Sequence, residues 1–70
     1  MKVYIEYENE NGDVVKTKLN NKKLTLVKVF LSLIDDDLKS EFIGDVIMDE
    51  IATPEEFEAY VEFANIFSNI

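Results

Sequence analysis

The side chains best equipped for chemistry in this 70-residue chain are its carboxylates: 15 Asp and Glu stand against 7 Lys, a net charge of −8 at pH 7. Asp35-Asp36-Asp37 followed by Glu41 is the densest group, and hard divalent cations take oxygen ligands of this kind. The spacing fails as a calcium loop. Counted from Asp35, the sixth position is Ser40 where the tight turn needs Gly, and the twelfth is Val46 where a bidentate Glu belongs. Counting from Asp37 puts Phe42 at the sixth. The group reads instead as a helix-capping acidic cluster. The number of acids alone would permit a carboxylate pair for glycoside hydrolysis, but so short a chain leaves little room for a cleft around it.

A longer pattern runs through the same region. Asp37, Glu41, Asp45 and Asp49 recur every four residues, and on a continuous helix they rise by about 6 Å per step, roughly a phosphate-like spacing. Like charges so placed destabilise a helix by about 0.2–0.5 kcal/mol per pair. Either they form a solvated acidic face, or they dock on a basic protein surface by imitating a nucleic-acid backbone. With their neighbours they define the candidate partner-binding set Asp36, Asp37, Glu41, Asp45, Asp49 and Glu50.

What is missing narrows the chemistry further. There is no Cys, so neither a disulfide framework nor a thiolate nucleophile. There is no His, which removes the commonest zinc ligand and most general-base schemes. No catalytic, metal or cofactor site is expected, and the chain reads as non-enzymatic. No run approaches the roughly 20 apolar residues that span a bilayer, and the N-terminus alternates instead of forming a signal-peptide core. A cytoplasmic location is expected, the host cytoplasm for a viral protein.

Charge is unevenly distributed. Up to Lys28 six Lys face four acids, a net of +2; from Val29 onward only Lys39 faces eleven acids, a net of −10. A field of that sign repels phosphate backbones and anionic membranes and attracts cationic surfaces. The expected partner is therefore a basic protein, such as a nucleic-acid-binding effector, with no direct contact to nucleic acid or membrane.

The elements that position these groups follow from periodicity. Lys2 to Glu8 alternates, with Val3, Ile5 and Tyr7 on one face, and Val14 to Leu19 continues the pattern. Setting Tyr7 opposite Val15, Ile5 opposite Thr17 and Val3 opposite Leu19 satisfies both faces and pairs Glu6 with Lys16 outside. Asn9-Glu10-Asn11-Gly12 then forms a type I turn with Gly12 in the left-handed region. The outer face, with Tyr4, Val14, Lys16 and Lys18, and the free strand edges could accept a partner strand, although strand lysines deter it.

After the polar break at residues 20–23, Thr25 is placed to cap a helix through Leu26, Val27, Phe30, Leu31, Leu33 and Ile34, with a third strand over 24–31 as the alternative. Asp35 to Asp37 open a second helix through Leu38, Phe42 and Ile43. A break is expected near Gly44, because one unbroken helix would set Leu38 within the acidic stripe; a further short helix then runs through Val46, Ile47 and Ile51. Thr53-Pro54-Glu55-Glu56 is a capping box with Pro at the first helical position, so Glu56 reads as a capping residue and Glu55, Glu58 and Glu62 as a second acidic strip. The apolar side chains of this last helix fill an arc of about 220°, wider than one neighbour covers. It is either sandwiched between the hairpin and another helix, or its stripe of Ala59, Phe63, Ile66 and Ile70 meets a second copy.

These elements make a single small α+β domain over residues 1–70: an antiparallel β-hairpin (1–19) followed by three or four short helices (25–70). The functional reading is an acidic protein-binding module. Its most concrete version is an inhibitor that occupies a nucleic-acid-binding groove, as small acidic phage and viral proteins do, anti-CRISPR proteins among them. The likeness is one of size, charge and missing catalytic residues, with Lys in place of Arg and many Ile and Asn, as in AT-rich genomes; no motif carries it. The rival is a structural or assembly subunit that homodimerises through its last helix.

Overall fold

The computed structural model describes residues 3–68. Strands β1 (Tyr4–Glu8) and β2 (Val14–Lys18) form an antiparallel hairpin, followed by helices α1 (Asn21–Ser32), α2 (Asp36–Met48) and α3 (Pro54–Ser68). The register pairs Tyr7 with Val15, Ile5 with Thr17 and Glu6 with Lys16, as the alternation requires. Asn9 organises the turn. Its carbonyl accepts from Gly12 N–H at 3.0 Å, its side-chain oxygen accepts from the amides of Asn11 and Asp13, and Gly12 takes φ of 83°. That value lies where a Cβ would be strained, which is why glycine is needed there.

Helix α1 begins a turn earlier than the sequence suggests. Asn20, not Thr25, is the N-cap, accepting from the amides of Lys22 and Lys23 at 2.9 and 3.2 Å. Thr25 lies inside the helix, where its hydroxyl donates to the Asn21 carbonyl. A tertiary contact fixes the start: the phenol oxygen of Tyr60, 1% exposed, accepts from Asn20 N–H at 2.9 Å. The segment 24–31 is thus helical, and the third strand is excluded.

Helix α2 runs unbroken through Gly44, so the described residues form three helices. The geometric conflict is real but is resolved differently: Leu38 stays among the acids and is left 51% exposed. The helix ends at a Schellman motif instead. Glu50 N–H donates to Ile47 C=O and Ile51 N–H to Val46 C=O, with Glu50 at φ of 57° in the seat glycine usually holds. Gly44 is exposed, and a Cβ built on it meets nothing within 4 Å. Gly44→Ala is therefore expected to stabilise the fold by about 1 kcal/mol, read as a rise of about 4–8 °C in Tm.

Helix α3 packs against both β1 and α1, and α2 leans on α1. Part of the apolar arc of α3 is thus sandwiched, with Phe57, Tyr60 and Ala64 buried beside Ile5, Val27 and Val46, while Ile66 stays exposed. The molecule measures 32 × 31 × 18 Å. A thickness of 18 Å admits only two layers of elements, so few residues are buried on every side and many are half-covered.

Candidate interaction surface

The acidic face of α2 is built by its cap and its core side. Asp35 accepts from Asp37 N–H at 2.8 Å and Leu38 N–H at 3.4 Å, closing the helix start, where the dipole also favours Asp36 and Asp37. Val46 is buried, and Phe42 and Ile43 pack against the core, which orients the opposite side to solvent. Asp37, Glu41, Asp45 and the C-cap Asp49 are all exposed, with Asp37 opposite the core side and each later carboxylate turned further toward it. They span about 18 Å along the axis and wind by about 40° per step. Of the other candidate residues, Asp36 sits about 100° around the helix from Asp37. Glu50, turned by its left-handed backbone, lines a separate depression with Lys23, Ile51 and Thr53. Asp37, Glu41 and Asp45 thus share α2 as exposed residues, and Asp49 stands at its C-cap.

No lysine of the described residues is ion-paired with these carboxylates. Among the described residues the only ion pair joins Lys23 to Glu56, while Lys39 lies with its ammonium 5.7 Å from the Phe30 ring centroid. Lys16 similarly lies 5.1 Å from the centroid of Tyr4 on the outer hairpin face.

A second acidic surface was only half legible. Glu55, Glu58 and Glu62 do form a strip on α3, and the packing of α3 on β1 brings Glu6 and Glu8 to the same place. These five acidic residues, with Tyr7 and Ala59, line a depression of about 210 Å³. Counting charge along the chain hides this, because Glu6 and Glu8 belong to the nearly balanced half. The signal available was topological: a helix that covers a two-stranded sheet must lay its flank along a strand.

Comparison with family models, curated proteins and solved structures finds no match for this chain. Its own geometry carries the functional reading.

Glu56 is not the reciprocal capping residue that its position suggests. Thr53 Oγ1 does accept from Glu56 N–H at 3.2 Å, but the Glu56 side chain turns inward and is buried. One carboxylate oxygen accepts from Lys23 Nζ and the other from the Tyr7 hydroxyl at 3.2 Å, tying α3 to α1 and β1. Burial, reinforced by the Glu56 charge, holds the Tyr7 phenol above its usual value near 10. Both oxygens of this carboxylate are engaged in holding the fold together. Among the described residues no group of three or more Asp and Glu is arranged to hold a metal ion, and no helix is long and apolar enough to cross a membrane.

The proposed self-association stripe divides. Ala59 and Phe63 are half-buried against the core, Ile66 is 64% exposed, and Ile70 lies outside the described residues.

Proposed function

We propose that the chain is a non-enzymatic protein-binding module whose acidic α2 face docks on a basic surface of its partner. One observation carries this reading: Asp37, Glu41 and Asp45 stand exposed on one uninterrupted helix, with Asp49 exposed at its C-cap, and no lysine of the described residues is ion-paired to them. Their mutual repulsion falls when a cationic surface neutralises the row. A row that winds about 40° per step suits the curved wall of a groove better than a flat plane. This supports the narrower version, an inhibitor that fills a nucleic-acid-binding groove on an effector.

The test is affinity capture with paired baits, the wild-type chain and a variant carrying Lys at all four positions. The expected partner is a basic protein held by the wild type and lost by the variant. Its affinity falls at least about tenfold as salt rises from 0.1 M to 1 M, where the Debye length shrinks from about 10 to about 3 Å. A partner retained equally by both baits, or binding indifferent to salt, retires the α2 face. The exposure of Ile66 favours a second reading, self-assembly through α3. Sedimentation decides it: a mass that rises with concentration and reverts in Ile66→Glu supports assembly, and a constant monomer mass removes it.

A further inference from the structure

We infer that the ridge of α3 carries a composite docking site for a basic amphipathic segment of a partner protein, with an apolar anchor in one groove and a cation in the next. The inference deepens the docking reading and rests on it, but places a specific contact on α3 instead of α2.

On one side of the ridge lies an open groove of about 360 Å³ lined by Phe30, Ile43, Pro54, Phe57, Val61 and Glu58. On the other side lies the depression lined by Glu6, Glu8, Glu55, Glu58 and Glu62. Glu58 lines both, so the apolar and the anionic sites share a wall. The groove alone would take any greasy side chain; the adjoining carboxylates select a cationic one. In an amphipathic helix, residues three or four apart lie about 5–6 Å from each other. The flexible four-carbon stem of a lysine carries its charge over the Glu58 ridge while an apolar neighbour fills the groove. A second copy is the less suitable occupant, because each chain brings a net charge of −8 to the contact.

The probe is a synthetic helix-forming peptide with leucines at helical spacing among lysines, titrated into the isotope-labelled full chain and followed by amide chemical shifts. Two control peptides replace every leucine by serine or every lysine by glutamate. Saturable shifts are expected around Phe30, Ile43, Phe57, Glu58 and Val61, with both controls at least about tenfold weaker. Glu58 is exposed, so Glu58→Lys leaves the core intact and weakens binding by about fivefold. The fourfold α2 variant changes it by less than about twofold. Equal binding by the serine peptide, shifts confined to α2, no shifts at all, or groove shifts that appear on concentrating the chain alone would each overturn the assignment. Shifts confined to α2 would do so while leaving the docking reading itself intact, and a partner retained equally by both α2 baits would retire the α2 face while leaving the α3 assignment standing.

Discussion

Phe57→Ala is expected to remove about 3–5 kcal/mol of stability, the largest effect of any single truncation argued for this chain. Stability near 0.05–0.15 kcal/mol per residue gives a domain of this length roughly 4–10 kcal/mol in all. Phe57 is 6% exposed in the first turns of α3, and its ring meets that of Phe30 edge to face, centroids 5.3 Å apart at 83°. Phe30 in turn meets Phe42 at 6.2 Å. These three rings link α3 to α1 and α1 to α2, in a molecule whose thinness leaves few alternative contacts to take up the loss. Urea unfolding followed by circular dichroism measures it. A midpoint shift worth less than about 1 kcal/mol would mean that the Phe57 site collapses without cost. Phe42→Ala, at a half-buried position, is expected to cost less and to expose chiefly the α2 amides to hydrogen exchange.

The same packing explains which features the sequence disclosed. The hairpin register was legible because two independent constraints, facial alternation and the Asn9 to Gly12 turn, agree on one pairing. The start of α3 was legible because Pro54 and Thr53 act locally. The start of α1 was not. Asn20 and Thr25 are both competent caps, and the choice between them is reinforced by a phenol forty residues away. Gly44 misled for a related reason: a helical glycine costs about 1 kcal/mol, which tertiary contacts of Phe42, Ile43 and Val46 can exceed, and sequence does not weigh the two. The four-residue spacing of Asp37, Glu41 and Asp45 was legible from the period of a helix, but their sharing one unbroken helix was not, because a break was expected at Gly44. The gathering of Glu6 and Glu8 with the α3 strip depended on which element α3 covers, a fact that no spacing encodes.

Separating Lys23 from Glu56 is expected to be the second large effect, and its two halves leave opposite signatures on Tyr7. Breaking a fully buried pair costs about 3–5 kcal/mol. The Lys23 side chain here keeps 27% of its exposure and the Glu56 side chain 12%, so solvent relieves part of the loss and about 2–3 kcal/mol is expected for Lys23→Met. Glu56→Gln retains the shape and an acceptor for Tyr7, and costs less. The phenol discriminates the electrostatic account from a packing account. The Glu56 charge raises the Tyr7 pKa and the Lys23 charge lowers it, with burial the larger cause throughout. Glu56→Gln therefore lowers the phenol titration toward its usual value, whereas Lys23→Met raises it further; ultraviolet titration of Tyr4→Phe variants follows this with one fewer tyrosine. The linkage has a definite sign. A phenol whose folded pKa exceeds its unfolded value contributes stability that is intact below about pH 10 and is lost as pH rises through the folded pKa. Glu56→Gln should narrow that alkaline loss and Lys23→Met should widen it. Parallel movement of Tyr7 in both variants would show that the cluster acts through packing alone.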